Sequence, residues 1–203
     1  MFVIVRHGNT FESGTPPRRI GARTDIPLTA KGLEQAHALG AHFAERNIRF
    51  DRILVSPLTR TQQTAQAIME AQSRPPEPEA AEFLREIDYG PDENALEDEV
   101  IARIGMPALA AWEARAEAPV GWIVYAEERI AAWQSLFASE ETRDQTLLLV
   151  ASNGSARFAL MADPGLAEAA ENLTSLKLPT GGFGVIARND TDALILSEWG
   201  ARP

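Results

Sequence analysis

Three short stretches of this 203-residue chain concentrate side chains able to hold and attack a phosphoryl group. They read Arg6-His7-Gly8-Asn9-Thr10, Ser56-Pro57-Leu58-Thr59-Arg60 and Ser152-Asn153-Gly154-Ser155. A guanidinium fork binds two phosphoryl oxygens at once, a neutral imidazole is a nucleophile, and a helix N-terminus supplies unsatisfied N–H groups. Arg6, His7, Arg60 and Asn153 brought to one crevice would therefore form a phosphate-shaped place.

The elements that must position them are visible as well. Each stretch follows an apolar, branched run: Phe2–Val5, Arg52-Ile-Leu-Val55 and Thr146-Leu-Leu-Leu-Val150. Such runs, without alternation, suit strands buried on both faces of a parallel sheet. In an open parallel sheet, ligands bind outside the carboxyl ends of the strands, where all three stretches would emerge. Between the runs, Thr29 reads as the N-cap of a helix whose buried stripe is Leu33, Ala36, Gly40 and Phe43. Ser56-Pro57 reads as a cap and first turn of a second helix, running to about Gln72. Ala151 to Asp163 reads as another loop-to-helix entry. Gly182–Ala187 and Ala193–Ser197 alternate around Arg188-Asn-Asp-Thr191 as a terminal hairpin or two neighbouring strands. The expected fold is a single three-layer α/β domain over 1–203, its mostly parallel sheet covered by helices on both faces. Residues 74–121, proline-rich and acidic at first and helical around Pro107–Arg115, read as an inserted flap too short to bury a core of its own.

Composition narrows the function further. A chain that is 45% hydrophobic and 24% charged can bury a core and is not disordered. No apolar run approaches the ~20 residues of a membrane span, and Arg6 and His7 interrupt the opening one. The absence of Cys removes disulfides, thiolate metal sites and cysteine nucleophiles, and a cytoplasmic address is the expectation. The net charge of −10 argues against a nucleic-acid partner. Its distribution is uneven: residues 1–60 carry 9 Lys/Arg against 5 Asp/Glu (+4), and residues 61–203 carry 10 against 24 (−14). A basic N-terminal third in an acidic protein suits a local anion site. No Gly-x-Gly-x-x-Gly follows the first run and no P-loop occurs, so a dinucleotide enzyme is excluded. His37 and His42, five apart on one helix, face different ways and make no metal pair.

Val5-Arg-His-Gly-Asn-Thr10, Asp25-Ile-Pro-Leu-Thr-Ala-Lys-Gly32 with Gln35-Ala36, and Ser56-Pro-Leu-Thr-Arg60 with Gln63-Thr64-Ala65 resemble the histidine phosphatase superfamily. The likeness to this phosphoglycerate mutase-like family covers most of residues 1–90 and resumes at 146–160, and it favours the phosphatase branch. The resemblance implies that His7 accepts the phosphoryl group as a phosphohistidine. It implies that Arg6 and Arg60 clamp the phosphoryl oxygens. In Leu84-Arg-Glu86-Ile-Asp-Tyr-Gly90, Glu86 would protonate the leaving oxygen and then activate water. Asn9, Thr10 and Gly154 would lie at the phosphate, and no metal or other cofactor is implied. Arg18, Arg19 and Arg23, around the Gly21 and Asp25 positions, would meet a second anionic group of a substrate or serve as solvated loop charges. The chain departs from the family at Asn153, which stands where members carry a second histidine; Asn153 would cap the following helix, face the pocket, or do both. The expected activity is hydrolysis of a small phosphomonoester, slowed by Asn153, and the alternative is a phosphate-binding protein without turnover. Mutase chemistry fits less well, because Ala111-Trp-Glu-Ala-Arg-Ala-Glu117 carries two glutamates where mutases are arginine-rich. A homodimer is left open.

Overall fold

Strand register explains how distant residues meet. The computed structural model describes residues 1–203. Strand β1 (Phe2–Arg6) is followed by helix α1 (Ala30–Glu45), strand β2 (Arg52–Val55), helix α2 (Thr59–Met69) and a short edge strand β3 (Pro78–Ala80). The flap helix α3 (Glu97–Arg115) and helix α4 (Ala126–Ala138) come next, then β4 (Leu147–Ala151) and the short α5 (Asn153–Ala156). Helix α6 (Pro164–Ala170), β5 (Phe183–Arg188) and β6 (Leu194–Ala201) complete the chain.

The six strands lie in the order β3-β2-β4-β1-β5-β6. The first four are parallel, and the last two run antiparallel as a hairpin. Val5 and Val55 both pair with Val150, and Arg6 pairs with Ala151. The three strands therefore end level, and the residues that follow them leave from one edge of the sheet. The ladder even continues past the strands, with the His7 amide donating to Ala151 O at 3.2 Å and the Ser56 amide to Val150 O at 3.0 Å.

Side chains alternate between the faces, as the pleat requires. Phe2, Ile4, Leu147 and Leu149 join Trp112, Trp133, Phe137 and Phe158 in the larger core. Val3, Val5, Leu148 and Val150 join Leu39, Phe43, Ile68 and Phe183 in the smaller one. The inserted segment contributes Leu84, Ile87, Tyr89, Val100, Leu109 and Trp112 to the larger core rather than forming one of its own. Within α3 the helix breaks at Gly105, whose φ of 80° and ψ of 153° interrupt it just before Pro107. No helix is long and apolar enough to cross a membrane.

Several local expectations need correction. Helix α2 starts at Thr59, not at Ser56-Pro57, because the chain continues the ladder through Ser56 and Leu58 remains extended. The cap comes from Asp25, whose carboxylate accepts from the Thr59 amide (2.8 Å) and hydroxyl (2.7 Å). In α1 Thr29 does cap, accepting from the Gly32 amide at 3.1 Å. Leu33, however, is 38% exposed, and the buried stripe is Gly32, Ala36, Leu39, Gly40 and Phe43. The proline-rich connector contains β3, and α4 lies in a stretch with no recognised helical signal.

Candidate active site

Residues singled out above surround one cleft of about 360 Å³ at the carboxyl edge of the sheet. Arg6, His7, Thr10, Glu86 and Asn153 line it, together with Arg18 and Arg19. Trp112 and Lys177 line it as well. Arg60 lies behind the wall with no exposed surface.

His7 is held by its own loop. Its Nδ1 lies 2.8 Å from Gly8 O. A carbonyl can only accept, so Nδ1 carries the proton and the Nε2 lone pair is free. Burial, then the charges of Arg60 and Arg6, depress the imidazole well below 6.5, which keeps it neutral at neutral pH. The loop packs tightly on α1: a Cβ on Gly8 would lie 2.2 Å from Gly32 O, and one on Gly32 would lie 2.1 Å from Asn9 O.

The two arginines are fixed by main-chain carbonyls. Arg60 donates to Thr24 O (2.9 Å) and Gly21 O (3.2 Å). Arg6 donates to Leu178 O (2.8 Å), and the Leu178 amide donates to Asn153 Oδ1 (3.1 Å). One residue of the 171–182 loop thus orients both Arg6 and Asn153. Burial opposes both guanidinium charges, and Glu86 is the foremost charge sustaining each. Of the nine buried side-chain atoms without a hydrogen-bond partner, Arg6 Nε and Arg19 Nε belong to guanidinium groups that line this cleft, while Arg60 Nε and Arg157 Nη2 belong to guanidinium groups outside its lining. Arg6 and Arg19 therefore keep donor capacity at the cleft wall.

Glu86 is 4% exposed. Its Oε1 accepts from the Ile87 amide (2.9 Å) and its Oε2 from the Gly154 amide (3.2 Å), which leaves each oxygen a further lone pair. Gly154 is thereby explained: a Cβ there would come within 2.1 Å of Glu86 Oε1. Gly154→Ala is expected to displace the carboxylate, lowering stability by about 1–3 kcal/mol and turnover more than phosphate affinity. Thermal unfolding and steady-state kinetics on the variant check this.

The remaining predicted residues divide. Asn9 faces another cleft, with its amide nitrogen donating to Phe11 O and Thr29 Oγ1. It braces the loop against α1 and does not line the His7 cleft. Asn153 is the first residue of α5 and caps nothing; Ser152 holds the cap position. With Oδ1 engaged by Leu178, the donor end of the Asn153 amide is left for the pocket it lines. Arg19 lies in the cleft wall, paired with Glu97 and stacked over Tyr89 and Trp122. Gly21 supports Arg60 through its carbonyl, and Arg23 lies outside the cleft, bonded to Asp88 and Gly90.

Sequence reasoning missed three supporting groups. Glu93 accepts from the Gly21, Arg23 and Tyr89 amides and the Thr24 hydroxyl, binding the Arg60-supporting loop to the Glu86 loop. Arg157, one turn after Asn153, donates to Trp112 O and lies 4.1 Å over the Trp112 ring; burial lowers it to about 10. Arg129 reaches the Glu86 loop from α4. Other supports fell within recognised motifs: Asp25 at the start of α2, and Gln35 and Thr64, which accept from the Asn9 and Gly8 amides of the His7 loop.

A larger cleft, about 570 Å³, lies between α1, α2 and β3 and is lined by none of Arg6, His7, Arg60, Glu86 or Asn153. No group of three or more His, Cys, Asp or Glu side chains is arranged to hold a metal.

The fold and this constellation define a class, and comparison with known proteins agrees. The chain belongs to the histidine phosphatase superfamily (branch 1), whose family profile matches residues 2–195. A 2,3-bisphosphoglycerate-dependent phosphoglycerate mutase of Methylobacterium sp. (strain 4-46) is 31% identical over 186 residues, covering 89% of this chain and 88% of the relative. One of Bartonella bacilliformis is 29% identical over 97% of this chain and 95% of its own length. Among solved structures, a mycobacterial glucosyl-3-phosphoglycerate phosphatase superposes with a TM-score of 0.77 at 23% identity, covering 100% of this chain and 99% of its own. A putative alpha-ribazole-5'-P phosphatase from Escherichia coli K-12 superposes with a TM-score of 0.71 at 24% identity, over 99% of this chain and 96% of its own.

Proposed function

We propose that this protein hydrolyses a small phosphomonoester without a metal, through a phosphohistidine at His7. The observation that carries the reading is a buried imidazole whose Nδ1 is taken by Gly8 O, which leaves Nε2 free, beside Arg6 and Glu86 in one cleft. Nε2 attacks phosphorus in line while the bond to the leaving oxygen breaks, and Glu86 gives that oxygen a proton. Arg6, in the cleft lining, stabilises the charge on the transferring oxygens directly, and the Arg60 guanidinium adds its positive charge from behind the wall. Water then attacks the phosphohistidine, Glu86 takes its proton, and inorganic phosphate leaves.

Mutase chemistry has less support in this pocket, although curated relatives carry that name. A mutase must hold the carboxylate and second phosphate of its substrate. The flap presents Glu97 and Glu113 to the cleft, while the arginines of α3 are engaged elsewhere, Arg103 by Asp92 and Arg115 by Glu117. A second reading, a phosphate-binding protein with no turnover, is favoured by one observation: Asn153 presents an uncharged amide where the family resemblance expects a histidine.

The deciding experiment is hydrolysis of an aryl phosphate in EDTA, with His7→Ala as the comparison. Activity that disappears in His7→Ala, together with acid-labile, base-stable labelling of the parent, is the expected result. Equal rates in the two proteins would overturn the enzymatic reading in favour of binding.

A further inference from the structure

Glu86 lies in chain that is neither helix nor strand, between the 3₁₀ turns Glu82–Leu84 and Gly90–Asp92. A proton donor must be held to within ~0.5 Å of its working position, so something other than a ladder must fix this stretch. Its backbone bonds can be followed one at a time. The Arg85 amide donates to Glu82 O, Ile87 O accepts from the Ala22 amide, and Asp88 exchanges bonds with Ile123. The Leu84 carbonyl accepts from Ser155 Oγ at 2.7 Å.

The carbonyls of Phe83, Arg85 and Glu86 receive no backbone N–H. All three turn to one side chain, Arg129 in the first turn of α4. Its Nη1 donates to Phe83 O (2.9 Å) and Arg85 O (2.7 Å), and its Nη2 to Glu86 O (3.4 Å). Its Nε donates to Val124 O (2.9 Å), anchoring the fork at the start of its own helix. Arg129 forms no ion pair. A partly buried guanidinium with its donors spent on four carbonyls is specified by geometry rather than by charge pairing. The Glu86 loop is thus gripped from two sides, by Arg129 from α4 and by the Gly154 amide and Ser155 hydroxyl from α5.

We propose that Arg129 is a positioning residue for Glu86, setting the acid loop so that the carboxyl reaches the leaving oxygen. This rests on the proposed role of Glu86 as proton donor. Its signature is a dependence on the leaving group. A poor leaving group, such as the phenoxide of phenyl phosphate, needs the donated proton, whereas 2,4-dinitrophenoxide departs without it.

The experiment compares kcat/KM on these two esters for the parent, Arg129→Met, Arg129→Lys and Glu86→Gln, with inorganic phosphate binding measured by calorimetry to count intact sites. Arg129→Met is expected to lose roughly tenfold or more on phenyl phosphate beyond its loss on the dinitrophenyl ester, with phosphate affinity kept. Arg129→Lys, which can still reach one or two of the carbonyls, recovers part of that loss and remains informative if Arg129→Met does not fold. Equal losses on both esters in Arg129→Met and Arg129→Lys, with Glu86→Gln selective for phenyl phosphate, would overturn the positioning role alone. An unselective Glu86→Gln, or a parent that hydrolyses neither ester, would overturn the acid assignment and the positioning role with it.

Discussion

Arg60→Met is expected to abolish most hydrolysis, lowering kcat/KM by about a hundred- to a thousandfold, the range for losing one preorganised source of charge stabilisation at the transferring oxygens. A second effect should accompany it. Removing Arg60 removes the main charge that depresses His7. The imidazole then rises toward 6.5, so as pH falls it is protonated earlier and its lone pair is lost sooner. The variant should therefore show an acid limb in kcat/KM closer to pH 6.5 than the parent does, and a matching shift in a histidine NMR titration. Stability should fall by about 2–4 kcal/mol, since the Gly21 and Thr24 carbonyls lose their donors inside the protein. Arg60→Lys keeps the charge but not the fork, so it should retain the His7 depression while losing rate. A His7 titration identical in the parent and Arg60→Met would show that Arg60 does not set the nucleophile's protonation.

The strand-end residues were legible because two local facts coincide in them. A buried parallel strand is an uninterrupted apolar run, and a buried strand that ends in Arg-His or leads within a few residues to an arginine requires an anionic partner. The terminal hairpin was legible for a similar reason, its alternation breaking at Arg188-Asn-Asp-Thr191. What could not be read depends on long-range bonds with no local pattern. Glu93 reaches back to Gly21 and Thr24, about seventy residues away, and Asp25 caps a helix that begins thirty-four residues later. Helix α4 lacks a capping signal and has only Glu127 and Glu128 in its first turn to mark its start: its N-cap is Tyr125 in a left-handed conformation (φ 49°), with no side-chain cap. Leu33 fits the helical stripe yet faces the cleft beside β3, because the sheet and α2 cover only part of that side of α1. Glu86 was visible through the family resemblance alone, and its support by Gly154 and Arg129 is purely three-dimensional.

Asn153→His is expected to raise kcat by up to a hundred- to a thousandfold, with little change in KM, because the added donor acts on charge that exists only in the transition state. The surroundings of Asn153 allow the exchange. Its Oδ1 accepts from the Leu178 amide, whose own carbonyl holds Arg6. An imidazole there can accept the same bond through Nδ1 while Nε2–H extends further into the cleft than an amide does. Arg6 and the 171–182 loop would then keep their places, and the gain would reflect the new donor rather than a rearranged site. Steady-state kinetics on the parent and variant, with phosphate affinity measured alongside, separate the outcomes. A large rise in kcat at constant affinity would show an intact site slowed by one residue. Unchanged turnover in a folded, phosphate-binding variant would show that Asn153 does not limit the chemistry. Tight phosphate binding with no turnover in either protein would place the chain among binders that use a phosphatase pocket for recognition.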